Sequence, residues 1–274
     1  MKVDKAARYI GGEVNSVMKD KNAVDIRFAM CFPDVYEIGM SNLGMMILYN
    51  MFNQREDVWC ERLFSPWPDL DKVMREEKIP LFALESQEPI RDFDFLGITI
   101  GYEMCYTNIL QVLDLSGIPL KSADRGEDFP IVIGGGACAY NPEPLAPFFD
   151  MFYIGEGETV YDALFDAYKA NKKAGGSRKD FLLAAAKIPG IYVPSLYEVT
   201  YKEDGTIASF APTADGVPEK VQKQLIIDME KEYRAVEAPV VPHIKATQDR
   251  VTLEIQRGCI RGCRFCQAGM IYRP

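Results

Sequence analysis

Apolar and polar positions switch repeatedly between two periods along this chain. Val24 to Cys31 begins by alternating and ends almost wholly apolar, as a strand does when it enters a sheet covered on both faces. A polar, glycine-bearing loop follows from Phe32. A helix is then expected from about Asn42 to Asn53, with Ser41 or Asn42 as its cap. Val58 to Phe64 reads as a second strand, Pro66-Trp67-Pro68 as a turn, and Asp69 to Lys78 as a helix. Leu81 to Leu84 is a further short strand, and Phe93 to Ile100 a strong one. The next helix runs from about Met104 to Ser116 and is stopped by Gly117 and Pro119. Pro130 to Ile133 enters Gly134-Gly135-Gly136. Met151 to Ile154 enters Gly155-Glu156-Gly157-Glu158 and a helix to about Lys172. This alternation predicts an α/β fold of Rossmann-like (flavodoxin-like) type, a parallel five-stranded sheet with helices on both faces. The glycine-rich turns follow strands, where open α/β sheets place ligands.

The pattern changes beyond that domain. A short helix from Asp180 to Lys187 precedes Pro189-Gly190. Tyr197 to Lys202 alternates, Glu203-Asp204-Gly205 turns, and Thr206 to Phe210 returns, which makes a β-hairpin. Residues 211–245 hold four prolines and no trustworthy period, so they read as a linker. The sole histidine, His243, lies there and is expected at the surface. Arg250 to Ile255 alternates again as a strand. The expected organisation is a leading arm (1–22), an α/β domain (23–190), a hairpin and linker (191–249), and the opening of another domain (250–274), with the chain stopping as that domain begins.

Composition narrows the function. The 274 residues are 48% hydrophobic and 26% charged, which is a globular balance. A net charge of -9 argues against a general nucleic-acid binder. The segment from Arg250 is the exception. It holds Arg250, Arg257, Arg261, Arg264 and Arg273 against Glu254 alone, a net +4, which leaves -13 for the rest. An anionic ligand near this segment fits that charge, as does a solvated arginine-rich loop. The start carries no apolar run and no stretch reaches the length of a membrane span, so the chain reads as cytoplasmic. Cys31, Cys60, Cys105 and Cys138 lie apart, in or beside apolar segments, and read as small buried hydrophobes.

The remaining cysteines are different. Cys259, Cys263 and Cys266 form a C-x3-C-x2-C run loosened by Gly258 and Gly262. Thiolates this close in sequence can converge on a soft metal centre. Three of them leave one iron of a [4Fe-4S] cubane open to a further ligand, which permits chemistry. Zinc prefers four protein ligands, and a redox pair from Cys263 and Cys266 leaves Cys259 unexplained.

The run after a strand resembles the signature of the radical S-adenosylmethionine enzymes. The resemblance implies a [4Fe-4S] cluster on Cys259, Cys263 and Cys266, S-adenosylmethionine on the open iron, and Phe265 beside the adenine. It further implies a 5′-deoxyadenosyl radical and a flavodoxin- or ferredoxin-type reductant. The α/β domain resembles the cobalamin-binding domain that precedes the radical barrel in many such enzymes. Asp34-Val35-Tyr36-Glu37-Ile38-Gly39 is similar to its D-x-H-x-x-G motif, with Tyr36 in the histidine place. Thr99 stands where a serine follows the third strand, Gly134-Gly135 matches the later glycine pair, and Gly155-Glu156-Gly157-Glu158 matches a G-E-G-E segment. Cobalamin would then be held base-off, with no histidine ligand. The implied function is a cobalamin-dependent radical enzyme that transfers a methyl group to an unactivated carbon or rearranges or cyclises its substrate. The stretch in hand would not turn over by itself. A radical methylthiotransferase acting on RNA or protein, with a second cluster on the upstream cysteines, is one alternative. A non-enzymatic cofactor- or partner-binding module is another.

Overall fold

The computed structural model describes residues 3–232 and 235–272; Arg273 lies outside them. Six strands form the main sheet: β1 (Ile26–Phe32), β2 (Val58–Phe64), β3 (Phe95–Thr99), β4 (Ile131–Gly135), β5 (Met151–Tyr153) and β6 (Ile191–Tyr192). Their order is β2-β1-β3-β4-β5-β6. The first five are mutually parallel. The sixth corrects the five-stranded expectation. Ile191 and Tyr192, assigned from sequence to the hairpin and linker, pair antiparallel with Tyr153 and Phe152. They cover an edge that would otherwise present unpaired backbone groups.

The helices are α1 (Tyr36–Gly39), α2 (Leu43–Gln54), α3 (Pro68–Glu77), α4 (Tyr106–Leu115), α5 (Tyr161–Lys173), α6 (Arg178–Ala185), α7 (Met229–Glu232) and α8 (Ala268–Ile271). Side-chain alternation on β1 sorts them. Ile26, Phe28, Met30 and Phe32 pack with Met45, Phe52, Leu164, Phe165 and Phe181 from α2, α5 and α6. Ala29 and Cys31 point to the other face, with Met74, Ile109, Val112 and Leu113 from α3 and α4. All seven residues of β1 are buried, as a central strand covered on both faces requires. The aromatic rings of Phe28, Phe52, Tyr161 and Phe165 pack edge-on or tilted, with centroids 4.6–6.1 Å apart.

The leading arm packs over the start of β2. The Val17 carbonyl accepts from the Trp59 indole at 3.0 Å, and its amide donates to the Tyr49 hydroxyl at 2.8 Å. Lys19 Nζ donates to the carbonyls of Asn53, Arg55 and Val58. The arm also brings Glu13 to Arg62. That arginine is fully buried between Glu13 (2.8 Å) and Glu85 (2.6 Å). Such a pair tolerates little loss, because removing one partner strands a charge in the interior.

Two expected strands do not form. At Leu81–Leu84 only Phe82 makes a bridge, to Pro89. Residues 250–255 join no ladder, since no strand pairs with them among the described residues. Val251, Leu253 and Ile255 are 78–89% exposed. The hairpin does form, from β7 (Tyr197–Tyr201) and β8 (Ile207–Pro212). The linker is stitched to the domain through bridges of Val14 with Val241 and of Gly155 with Gln224. No helix among the described residues is long and apolar enough to cross a membrane.

Candidate cofactor-binding site

In this strand order the chain reverses direction between β1 and β3, and open α/β sheets bind ligands outside the carboxyl ends of the strands at such a point. A cavity of about 560 Å³ lies there, within the range of cofactor sites. Phe28 and Met30 of β1, Gly97 to Thr99 of β3, Ile133 and Gly135 of β4 and Tyr153 of β5 line it. Part of its floor is bare backbone. A Cβ on Gly101 or Gly135 would meet nothing within 4 Å, so open space lies above both. At Gly97 a Cβ would run into the Phe28 ring.

One wall is the start of α2, residues 42–48. The Asn42 side chain caps that helix by accepting from the Met45 amide at 2.8 Å. A second wall is the turn of Gly155 to Glu158, which meets the first where Leu48 packs on Gly157. Here Gly155 has φ +140° and its Cα faces the Gln224 carbonyl, where a Cβ would collide. Only glycine accepts that backbone without strain. The Glu156 amide donates to the Gln224 carbonyl at 3.0 Å. The Tyr153 hydroxyl donates to the Glu156 carbonyl at 2.5 Å, and Glu156 Oε2 accepts from the Ile226 amide at 2.7 Å.

The third side is the stretch before the cysteine run. Glu254, Gln256, Arg257 and Gly258 line the cavity. Arg257 donates to Glu254 at 2.8 and 2.9 Å, to Glu158 at 2.5 Å and to Glu156 at 3.3 Å. Hydrogen bonds to Glu254 and Glu158 hold its guanidinium above its ordinary pKa, against the opposing effect of burial. Of the two readings left open for the arginines of this segment, an anionic ligand or a solvated loop, neither describes Arg257 here, since carboxylates of the protein engage it.

The family model of radical SAM proteins, N-terminal, matches residues 44–194, over half of the chain. The chain belongs to this radical SAM N-terminal family. An uncharacterized protein of Methanocaldococcus jannaschii is 26% identical over 247 residues, which cover 90% of this chain and 42% of the relative. The chain therefore spans under half the length of that relative. Two solved structures of the radical S-adenosylmethionine methyltransferase TsrM from Kitasatospora setae also align. One, with tryptophan and a SAM analog bound, has a TM-score of 0.36 at 14% identity, covering 72% of this chain and 35% of that one. The other, with cobalamin and a [4Fe-4S] cluster bound, has a TM-score of 0.37 at 14% identity, covering 73% and 31%.

The radical SAM N-terminal region, from α2 to just beyond β6, contributes most of the cavity. Of the residues singled out from sequence, Thr99, Gly135, Gly155 and Glu156 line it. Five others do not. Tyr36 is a correction: it is 1% exposed, turned inward against Phe64, and its hydroxyl donates to Glu13 at 2.9 Å and accepts from the His243 amide at 3.3 Å. Burial and the neighbouring Glu13 push the phenol well above the usual tyrosine range, so it stays neutral. Asp34 accepts from the Val35 amide at 2.7 Å and from the Tyr102 hydroxyl, which joins the loops after β1 and β3. Gly39 and Gly134 are packing positions, where a Cβ would meet Phe64 in one case and Ile100, Phe152 and Phe149 in the other. Phe265 is 92% exposed.

Cys259 and Cys266 are half-buried and Cys263 is exposed. Among the described residues no three His, Cys, Asp or Glu side chains are grouped to hold a metal ion. The donor set itself suits an iron–sulfur cluster, being three closely spaced thiols. Cys31, Cys60, Cys105 and Cys138 are buried, and burial pushes each thiol upward. His243, expected at the surface, is exposed, and its ring meets the Gly11 carbonyl at 2.9 Å. Sequence reasoning missed Phe28, Met30, Gly97 and Gln224 as parts of the site. The alternation of β1 could have found the first two. Nothing local could have found Gln224, which reaches Gly155 only through the fold.

Proposed function

We propose that this chain is the cofactor-binding leading part of a cobalamin-dependent radical S-adenosylmethionine enzyme. The observation that carries the reading is the glycine-floored cavity at the strand ends, rimmed by the stretch that leads into Cys259. Thr99, Gly135, Gly155 and Glu156 would hold the cobalamin, with the open space above Gly101 and Gly135 receiving part of it. Cys259, Cys263 and Cys266 would hold a [4Fe-4S] cluster with S-adenosylmethionine, and Phe265 would lie beside the adenine. When bound, these groups supply radical initiation and a methyl carrier for an unactivated carbon, or initiate rearrangement or cyclisation.

The chain's own residues do the positioning. Phe28, Met30, Ile133 and Tyr153 exclude water from the floor. The rigid turn at Gly155 presents two carboxylates at the rim. No histidine stands at the Tyr36 position, so the cobalamin would be bound base-off. The electron would come from a flavodoxin- or ferredoxin-type reductant, and the compartment would be the cytoplasm. The substrate site would lie in a region matching the part of the longer relative that this chain does not cover.

The test is an absorbance spectrum of the anaerobically purified full-length protein, before and after hydroxocobalamin, with iron measured after reconstitution. A corrin spectrum retained on desalting, with about four irons per chain, is expected. Loss of the corrin on desalting overturns the cobalamin reading, and failure to take up iron overturns the radical one. About eight irons would instead favour the methylthiotransferase alternative.

A further inference from the structure

Among the described residues, every hydrogen bond and ion pair that joins 249–258 to the α/β domain runs through one side chain, Arg257. The backbone there joins no ladder, and Val251, Leu253 and Ile255 stand in solvent rather than on the domain. Just upstream the Thr247 amide donates to the Glu37 carbonyl at 3.0 Å and the Gln248 amide to the Ser41 hydroxyl at 2.9 Å; between that anchor and the cysteines the stretch is held to the domain by charge rather than by apolar packing. The Arg257 side chain is 17% exposed, and its partners Glu156 and Glu158 are 18% and 8% exposed. Their attraction is thus partly shielded from solvent and salt. Glu254 grips the same guanidinium from within the stretch, which keeps it extended toward the domain. Both domain-side carboxylates sit on the turn that Gly155 and Gln224 make rigid.

We propose that Arg257 is a positioning residue, a latch that fixes the start of the cysteine loop on the rim of the cavity. Gly258, with φ +86°, turns the chain directly after the latch, and Cys259 is the next residue. Closing the latch completes the third wall of the cavity and sets where the cysteine loop departs. Opening it removes Glu254, Gln256, Arg257 and Gly258 from the rim and opens that side to an entering ligand. The inference that this coupling serves two cofactors rests on the cobalamin and cluster reading. The latch itself does not.

Limited trypsin digestion of the folded chain, with cut sites read by mass, tests the latch without any cofactor. Arg250 and Arg264 are exposed, whereas a guanidinium held by three carboxylates is withheld from the protease. Cleavage after Arg257 is expected to be at least about tenfold slower than after Arg250. In an E156Q/E158Q variant it should rise to about the Arg250 rate, with the Arg250 and Arg264 cuts unchanged. The carboxamide that replaces the Glu156 carboxylate still offers an oxygen to the Ile226 amide, so the turn keeps its anchor, and circular dichroism checks that the variant is folded. Equal cleavage at Arg257 in the wild type and the variant overturns the latch.

Stopped-flow binding of hydroxocobalamin then tests the coupling. R257Q should associate several-fold faster than wild type, and R257K should return toward the wild-type rate because it restores the charge. Equal association rates in all three proteins overturn the gating role. Absence of binding in all three, with the trypsin result as expected, overturns the cobalamin reading and leaves the latch standing.

Discussion

Replacing Tyr36 by phenylalanine separates a structural phenol from a ligand-facing one. Its hydroxyl donates to Glu13 Oε1 at 2.9 Å and accepts from the His243 amide at 3.3 Å. Glu13 keeps both bonds to Arg62, at 2.8 and 3.2 Å, so it is not stranded. The ring itself remains packed edge-on to Phe64 at 5.3 Å. What is lost is one hydrogen bond to a charged acceptor and the partner of one amide, about 1.5–3 kcal/mol. For a domain of this size that is a fall of roughly 3–12 °C in melting temperature. Urea denaturation of the wild type and Tyr36→Phe measures it, and hydroxocobalamin affinity is read on the same samples. Stability should fall by that amount and affinity should not change. Unchanged stability with a tenfold loss of affinity would refute the inward placement, since the hydroxyl would then be facing the ligand.

Gly155→Ala should cost about 2–3 kcal/mol, because its φ is +140° and the new Cβ would collide with the Gln224 carbonyl; a thermal melt checks this. Asp57 bears on acid sensitivity. Hydrogen bonds from Arg55, then Lys169, hold its carboxyl well below the usual range despite partial burial. A folded pKa below the unfolded one contributes stability above the unfolded value, about pH 4, and loses it as the pH falls through the folded value. Asp57→Asn should therefore cost about 1 kcal/mol at pH 7 and progressively less below pH 4, read by urea melts at both pH values. Replacing Cys259, Cys263 and Cys266 together by alanine should reduce iron in the reconstituted full-length protein from about four per chain to background, whereas Cys60→Ala should leave it unchanged.

The parallel sheet was legible because β1, β3 and β4 are short, largely apolar runs that lead into glycine-bearing loops or turns, and that signal needs no tertiary information. The sixth strand was not. Ile191-Tyr192 is too short to carry a period and owes its state to the open edge of β5. The stretch 250–255 shows the converse, since Val251, Leu253 and Ile255 alternate as a strand should, yet a ladder needs a neighbour. At the site, Thr99, Gly135 and the turn at Gly155 could be named because they stand at or just after the carboxyl ends of strands. Tyr36 and Asp34 follow a strand too, but α1 turns Tyr36 inward onto Glu13 and the buried Arg62. That outcome depends on an arm 23 residues earlier in the chain. The pairing of Arg257 with Glu156 and Glu158 spans about 100 residues and has no local signature.

The central claim is that the cavity at the strand ends receives cobalamin, and Gly135 offers the most direct test. A Cβ there meets nothing within 4 Å and Gly135 lines the cavity, so Gly135→Leu should fold and project into it. Equilibrium dialysis against hydroxocobalamin compares the two proteins. The wild type should bind it, and the folded variant should bind at least about tenfold more weakly, a loss of about 1.4 kcal/mol or more. Equal binding by both proteins, or none by the wild type, would contradict the claim.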